Sequence, residues 1–263
     1  MATKNQRKTT KKSKIASFLN YANWPNWVKK VTFWIGRLAL GFFIFSIALV
    51  ILYRFVPIPV TPLMVQRSFE NKWNGKPADW YKEWVPIEEI SDNLVLAVVC
   101  SEDQNFEEHN GFDFQAIEKA IDANKKLKKR GRPVRGASTI SQQVAKNVFL
   151  WPSRSWLRKG FEVYFTLLIE IFWSKERIME AYLNVIEMGD NVYGAQAASM
   201  INFGKQAKNL RPSEGALIAA VLPNPRKFLA KSPTAYITKR QNWIMHQMNA
   251  WGGSIDLNKI DEN

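Results

Sequence analysis

The chain has 263 residues, a net charge of +14 and a single cysteine, Cys100. One cysteine excludes an intramolecular disulfide, so stability must come from packing. A charge of this size would by itself permit nucleic-acid binding. Eight of the positive residues, however, fall within the first 30 positions, which leaves +6 for the rest of the chain. Anionic lipid headgroups are therefore more natural partners than nucleic acid.

The N-terminal region predicts a membrane anchor. Residues 1–30 contain eight Lys or Arg and no acid, a composition typical of a disordered tail. Residues 31–53 are apolar with Arg37 as the only charge, and 23 helical residues at about 1.5 Å each exceed the hydrocarbon core of about 30 Å. We therefore predict a transmembrane helix over residues 31–54. A cleaved signal peptide is the alternative, but residues 53–57 offer no small-x-small cleavage site.

The charges around this span predict its orientation. Eight positive residues precede it, whereas only Arg54 and Arg67 follow within about 15 residues. The positive-inside rule then places the N-terminal tail in the cytoplasm and the remaining chain on the far side of the membrane. Arg37 lies near the N-terminal end of the span, where a long side chain can reach the headgroups.

The next segment is rich in proline. Pro57, Pro59 and Pro62 predict an extended exit from the membrane, within a membrane-proximal linker over residues 55–84. Residues 85–263 follow as one exported domain, long enough to bury a substantial core.

Helical patterns dominate this domain. Pro86 starts a short helix, and Ser91 or Asp92 can cap the next, which runs through residues 94–99. Further helices are predicted over residues 114–127, 139–149, 155–173, 175–186, 193–201, 213–222 and 234–250. Alternating strand patterns are scarce. The predicted fold class is therefore mainly α.

One segment interrupts the helical pattern. Residues 125–135 carry seven positive charges together with Gly131 and Pro133, which predicts a mobile, solvated loop. Two interpretations remain open for it: a plain surface loop, or a loop that binds an anionic group of a substrate.

Residues 101–111 place several acids and His109 at the end of an apolar helix. A carboxylate beside Val98, Val99 and Phe106 can have its pKa raised towards neutrality, which suits a general base. The alternative from the residues alone is an acidic loop on a solvated face.

Residues 136–143 read Gly-Ala-Ser-Thr-Ile-Ser-Gln-Gln and open a helix. Free N–H groups and hydroxyls at a helix N-terminus bind phosphate well, although a plain Ser or Thr N-cap explains them equally. Gly131 and Gly136 have P-loop spacing, but Ala137 stands where the lysine is required, which excludes a nucleotide site.

Two later segments have open interpretations. Arg158, Lys159 and Glu162 form either an intrahelical ion pair or a basic patch for pyrophosphate with a positioned carboxylate. Residues 182–184 with Gly189 read on spacing as packing and turn residues. The sequence has no H-E-x-x-H, Cys-rich metal cluster, G-x-S-x-G, S-x-x-K or K-T-G motif. Serine-nucleophile peptidase chemistry is therefore disfavoured.

Taken together and in order, these segments resemble the conserved motifs of the peptidoglycan glycosyltransferases, glycosyltransferase family 51. The matching segments are Glu102-Asp103-x-x-Phe106-x-x-His109-x-Gly111; Gly136 to Gln143; Arg158-Lys159-x-x-Glu162; Lys175, Ile178, Tyr182-Leu183-Asn184 and Gly189; and Ser213-Glu214 through Leu222-Pro223-Asn224-Pro225. The match spans residues 85–240. Ser141 stands where threonine is commoner in the family, and Asn202 replaces a usual tyrosine.

The resemblance implies a bilobal, lysozyme-like helical domain that extends glycan strands from lipid II. In the implied reaction Glu102 deprotonates the 4-hydroxyl of the acceptor N-acetylglucosamine. That oxygen attacks C1 of the donor N-acetylmuramic acid and expels undecaprenyl pyrophosphate, with inversion. Glu162 is expected to stabilise the pyrophosphate, directly or through a divalent cation. The substrate-binding residues that the resemblance implies are Asp103, Phe106, His109, Gly136, Ser138, Thr139, Gln142, Gln143, Lys146, Asn147, Arg158, Lys159, Tyr182 and Asn184.

The resemblance also implies Mg2+ or Mn2+ as cofactor and no organic cofactor. Expected partners are lipid II, the growing glycan strand, membrane lipids and other proteins of cell-wall synthesis or division, but no nucleic acid. The expected location is the bacterial inner membrane, with the catalytic domain periplasmic and a role in cell-wall biogenesis and cell shape. Since the sequence ends at Asn263 without a transpeptidase domain, we expect a monofunctional member of the Gram-negative type.

Two alternatives remain. A lysozyme-like lobe with a catalytic glutamate also suits a glycan hydrolase or lytic transglycosylase. A non-enzymatic membrane scaffold would use the basic tail and the aromatic surface for contacts, and would not need Glu102 or Glu162.

Overall fold

The computed structural model describes residues 24–129, 131, 136–153, 155–253 and 255. The described chain is mainly helical, which confirms the predicted fold class. Its α-helices are α1 (Asn26–Phe55), α2 (Pro62–Trp73), α3 (Asp92–Glu102), α4 (Phe114–Lys129), α5 (Ile140–Phe149), α6 (Trp156–Phe172), α7 (Lys175–Val185), α8 (Ala195–Phe203), α9 (Pro212–Val221) and α10 (Ala235–Ala250). Short 3-10 helices cover Ile87–Glu89 and Ala207–Asn209.

The chain divides between Ile51 and Leu52 into two units. The first unit is described from residue 24 onward, and helix α1 covers it from Asn26 to Ile51. Over its whole length α1 has 30 residues, or about 45 Å at 1.5 Å per residue. Within the described residues it is the one helix long and apolar enough to cross a membrane. The predicted disordered tail lies outside the described residues up to position 23, and its last five residues, 26–30, are not disordered but belong to α1.

The core of the second unit is helical. Helix α9 packs against α3 and α10, and α5 packs against α6 and α7. The α3–α9 contact is close because Gly215 has no side chain: a Cβ there would lie 2.9 Å from the Asn93 carbonyl oxygen. Seven consecutive residues of α3, from Leu94 to Cys100, are buried. Helix α3 therefore runs through the core and carries Glu102 at its end.

Two elements differ from the sequence prediction. Residues 62–73 form helix α2 instead of an extended exit, because Pro62 occupies the first turn, where proline is favourable, and the Thr61 hydroxyl caps the helix. Tyr193 is predicted to open a helix but lies in a strand. Helix α8 begins only after Gly194, whose φ of +84° breaks the backbone direction.

The strands are β1 (Tyr81–Lys82), β2 (Glu187–Gly189) and β3 (Val192–Tyr193). They form one small sheet in the order β1-β3-β2, with β1 parallel and β2 antiparallel to β3. In the register Tyr81 pairs with Val192, and Glu187 pairs with Tyr193. The predicted loop over residues 125–135 lies partly outside the described residues, but residues 125–129 are the last turn of α4.

Candidate active site

A cleft of about 340 Å3 opens at the C-terminal end of α3. Its lining includes Glu102 and Asp103 from the first motif and Ser138 from the second. Cys100 also lines the cleft, but burial raises the pKa of its thiol to about 11, so it is not a thiolate nucleophile at neutral pH. Among the ionisable groups of the cleft, Glu102 is the candidate for acid–base chemistry.

Glu102 is a mostly buried carboxyl group with two neighbouring donors. Its side chain is 18% exposed. Gln143 Nε2 donates a hydrogen bond to Glu102 Oε2 at 3.1 Å, and Arg240 Nη2 lies 3.8 Å from Oε1. Burial raises the pKa of Glu102 above its ordinary value, and the charge of Asp103 adds to the rise. The Gln143 hydrogen bond and Arg240 act in the opposite direction. This balance suits a group that must accept a proton.

Asp103 holds the loop that follows Glu102. Its Oδ2 accepts a hydrogen bond from the Ile140 backbone N–H at 2.9 Å, which fixes the loop to the first turn of α5. His109 Nε2 lies 2.9 Å from Asp103 Oδ1. The Gly111 N–H donates to His109 Nδ1 at 3.1 Å, so Nε2 carries the hydrogen that bonds Asp103. Asp103 and His109 therefore position the first motif.

A buried ion pair also contacts the first-motif loop. Lys175 Nζ lies 3.0 Å from Glu170 Oε2 and donates to the His109 carbonyl at 2.6 Å. The Ser141 hydroxyl donates to the other Glu170 oxygen. The side chains of Lys175 and Glu170 are only 8% and 7% exposed. This buried network joins α5, α6, α7 and the first-motif loop.

The second motif mainly builds the start of α5. The Thr139 hydroxyl accepts from the Gln142 N–H at 3.2 Å, and Gln142 Oε1 accepts from the Thr139 N–H at 3.2 Å. This capping box buries both side chains. Gly136 and Ser138 are exposed, and Ser138 lines the cleft. Of these predicted residues, Ser138 and Thr139 line the cleft, and Gln143 contacts Glu102 through its hydrogen bond.

The third motif forms a cationic cluster on the first turns of α6. The Glu162 side chain is 4% exposed. Arg158 Nη1 donates to Glu162 Oε2 at 2.6 Å, and Lys159 Nζ donates to Oε1. Arg158 Nε is also buried, and it has no hydrogen-bond partner among the described residues. The cluster has two cations for one carboxylate, and the Arg158 Nε–H is a further donor. This arrangement favours binding of an anion.

Lys146 connects this cluster electrostatically with Glu102. Burial lowers the pKa of Lys146, and the positive charges of Arg158 and Lys159 lower it further. The carboxylates of Glu162 and Glu102 both act to raise it. The charges of both glutamates therefore act on the Lys146 ammonium.

The transglycosylase family model matches residues 71–249 of this chain. The chain belongs to the transglycosylase family. Three relatives carry the name biosynthetic peptidoglycan transglycosylase. The relative from Bdellovibrio bacteriovorus is 55% identical over 215 residues, 82% of this chain and 84% of the relative. That from Bacteroides thetaiotaomicron is 54% identical over 222 residues, 84% and 88%, and that from Pseudomonas entomophila 51% identical over 227 residues, 86% and 94%. The resemblance stated from the motifs is confirmed.

Four further residues that the resemblance assigns to substrate are also buried in this transglycosylase. Phe106, Asn147, Tyr182 and Asn184 are each 5% exposed or less. The Asn184 amide accepts from the Val85 N–H at 3.0 Å and donates to the Val85 carbonyl at 2.9 Å, which holds the start of the domain against α7. Asn147 Nδ2 and the Tyr182 hydroxyl are buried with no hydrogen-bond partner among the described residues. Their substrate contacts stay predictions.

A divalent cation does not fit the protein groups alone. The described residues contain no group of three His, Cys, Asp or Glu side chains that could hold a metal ion. Both oxygens of Glu162 already face a cation, Arg158 or Lys159. Mg2+ normally takes one or two carboxylates together with substrate phosphates. The predicted Mg2+ or Mn2+ would therefore have to arrive with a pyrophosphate.

Helix α10 supplies site residues that the motifs do not indicate. Arg240 approaches Glu102, and Trp243 lines the cleft. Gln104 Nε2 donates to Gln247 Oε1 at 3.3 Å, which ties α10 to the first motif. These residues lie more than a hundred positions after Glu102, and their only sequence signal is a shared helix face at i, i+3 and i+7.

Proposed function

We propose that this chain polymerises lipid II into β-1,4-linked glycan strands and releases undecaprenyl pyrophosphate. The observation that carries the proposal is that the chain has both a buried base, Glu102, and the cationic cluster around Glu162. The charges of both glutamates act on Lys146. Glycosyl transfer from a pyrophosphate donor needs these two groups: a base for the hydroxyl, and positive charge for the leaving group.

The proposed reaction is a single inverting displacement. The Glu102 carboxylate takes the proton of the acceptor 4-hydroxyl, and that oxygen forms a bond to C1 of the donor. The bond between C1 and the phosphate oxygen breaks, and the pyrophosphate leaves with the electron pair. The proton stays on Glu102 until solvent removes it. Because the raised pKa makes the carboxylate a stronger base, it draws the proton more effectively in the transition state.

The cationic cluster acts on the other side of the reaction. Arg158 and Lys159 neutralise the charge that develops on the expelled pyrophosphate, and Glu162 holds both side chains in place through i, i+4 and i, i+3 pairs. The buried Arg158 Nε has no hydrogen-bond partner among the described residues, so its N–H is a donor for a phosphate oxygen that enters the cluster. Preformed charge of this kind costs no reorganisation when the bond breaks.

Hydrolysis of finished glycan is less well supported. A glycan-cleaving enzyme must protonate a sugar oxygen as it leaves, which needs a carboxylic acid beside the scissile bond. A pyrophosphate leaves as a stable anion and needs charge stabilisation in place of an acid. The cluster at Glu162 offers positive charge, which favours synthesis from an activated lipid.

The anchor fits a lipid substrate. Helix α1 is long and apolar enough to cross a bilayer, and its polypeptide leads directly into the catalytic unit. We infer that the chain is held in the bacterial inner membrane with the N-terminus in the cytoplasm and the catalytic domain in the periplasm. A topology reporter fused to the C-terminus should show that the C-terminus lies outside the cytoplasm. A reporter signal from the cytoplasm would put the catalytic domain on the other side of the membrane from its proposed substrate.

The purified full chain should be offered lipid II and finished glycan strands in separate reactions. Polymer formed from lipid II supports the proposal, whereas soluble fragments released from finished strands would support the hydrolase. A parallel reaction with a chelator tests the cation. If the chelator stops polymerisation and added Mg2+ or Mn2+ restores it, a metal bound with the pyrophosphate is supported. If turnover is unchanged, the cationic side chains of the protein are sufficient to stabilise the leaving group.

A further inference from the structure

Helix α10 presents one face to the Glu102 end of the cleft. Arg240, Trp243 and Gln247 are spaced i, i+3 and i+7 and therefore share this face. Arg240 lies 3.8 Å from the Glu102 carboxylate, and Gln247 accepts a hydrogen bond from Gln104. Both ends of the face are thus fixed to the first motif, and Trp243 lies between them.

Trp243 is exposed although its helix is well packed. Two other residues of the same helix, Ile244 and Met248, are 0% and 3% exposed, so α10 is firmly anchored in the core. Trp243 itself is 46% exposed and lines the cleft that also contains Glu102. An indole left open in a ligand-sized cleft has a large apolar surface available for a ligand, since sites for small molecules measure roughly 300–1,000 Å3.

Apart from a cysteine and two alanines, the other residues that line the cleft are polar or charged. Ser101, Asn105, Lys119 and Ser138 line it together with Trp243. A pyranose ring matches this combination, because its C–H face packs on an aromatic ring while its hydroxyl rim forms hydrogen bonds. A flat apolar ligand would leave the polar wall unsatisfied, and a simple anion would not use the indole.

The lining also indicates which sugar occupies the cleft. The described residues that line it include the base Glu102 but not Arg158, Lys159 or Lys146. The sugar whose hydroxyl loses a proton must reach Glu102, whereas the pyrophosphate that leaves must reach the cationic cluster. The ring beside Trp243 is therefore that of the acceptor.

We propose that Trp243 is the stacking platform for the acceptor sugar, and that it orients the 4-hydroxyl of this sugar towards Glu102. The inference rests on the proposed function and adds a residue outside the matched motifs. Trp243 acts by binding: it holds the ring, and Glu102 performs the proton transfer. Its removal should therefore weaken acceptor binding more than it slows the bound complex.

The test compares Trp243→Leu, Trp243→Phe and Tyr236→Leu in the full chain with lipid II. Tyr236 is the matched control, because it is an aromatic residue of the same helix, 61% exposed, that packs beside Phe228 and does not line the cleft. We expect Trp243→Leu to raise the KM for lipid II about fivefold with kcat within about twofold. Trp243→Phe should retain most of the affinity, and Tyr236→Leu should match the unchanged chain.

A binding measurement separates stacking from folding. In the Glu102→Gln background, which should not turn over, a soluble N-acetylglucosamine tetrasaccharide is titrated by calorimetry. Adding Trp243→Leu should weaken its binding about fivefold, and adding Trp243→Phe should not. Equal affinities of the Leu and Phe variants, or a KM for Trp243→Leu equal to that of Tyr236→Leu, would overturn the platform. If the unchanged chain does not polymerise lipid II, the proposed function itself fails, whatever Trp243 does.

Discussion

Replacing Lys175 by Met tests whether the buried network of Lys175 and Glu170 stabilises the fold. Lys175 pairs with Glu170 at 3.0 Å, and both side chains are less than a tenth exposed. The substitution keeps an unbranched side chain of similar length but removes the charge. It leaves the Glu170 carboxylate buried without its cation, and it removes the donor to the His109 carbonyl.

The expected cost is large. Removing one partner of a buried ion pair typically destabilises a protein by about 3–5 kcal/mol, because the remaining charge is uncompensated. A typical domain has a total stability of about 5–15 kcal/mol, so the loss is a substantial fraction of it. Adding Glu170→Leu to Lys175→Met should recover part of the loss, since no unpaired charge is then buried.

The assay is chemical denaturation of the full chain in detergent, with Lys205→Met as control. Lys205 pairs with Glu214 at 2.8 Å, but the two side chains are 27% and 19% exposed. Glu214 also keeps its hydrogen bond from the Arg211 N–H, so this control should cost about 1 kcal/mol or less. The reasoning is refuted if Lys175→Met is no more destabilising than the control, or if the double variant is less stable than Lys175→Met alone.

Two further predictions concern the cleft and the first-motif loop. Gln143→Leu removes the hydrogen bond that favours ionised Glu102, so its pKa should rise further. Activity needs the deprotonated base and is lost as the pH falls through this pKa, so the acid limb of the pH–rate profile should move to higher pH. An acid limb that does not move would show that it does not report the ionisation of Glu102. Gly111→Ala should destabilise the chain by about 1–3 kcal/mol, since φ is +86° and the new Cβ would lie 2.7 Å from Thr166 Cγ2. Gly160→Ala, on α6 with nothing within 4 Å, should instead raise the unfolding midpoint by the equivalent of about 0.5–1 kcal/mol, and equal effects of the two substitutions in thermal melts would contradict this.

The sequence predicts most helices because their signals are local. Ser155 and Ser174 cap the helices that follow them, and Pro86 precedes the short 3-10 helix that its position predicts. Helix α2 escapes prediction because prolines before it suggest an extended chain, although proline is favourable in a first turn. Strand β3 escapes because two residues carry no alternating pattern, and its pairing with β1 joins segments that are far apart in the chain.

The site is predictable only where its residues lie in compact motifs. Glu102 is indicated by the acids at the end of an apolar helix, and Glu162 by bases three and four residues before it; the structure gives both a buried setting. Asn184 illustrates the limit: its spacing indicates packing and the resemblance indicates substrate, and its amide is used by the Val85 backbone. Arg240 and Trp243 come near Glu102 because α10 packs against both α3 and α9, long-range contacts that no local pattern encodes.

The most direct test of the account is the Glu102→Gln substitution in a lipid II polymerisation assay, with Glu108→Gln as control. Gln has nearly the same shape as Glu but cannot accept the proton, whereas Glu108 is an exposed acid of the same loop. We predict that Glu102→Gln folds, remains in the membrane and forms no glycan polymer, while Glu108→Gln polymerises at the rate of the unchanged chain. Unchanged turnover by folded Glu102→Gln would contradict the assignment of Glu102 as the base.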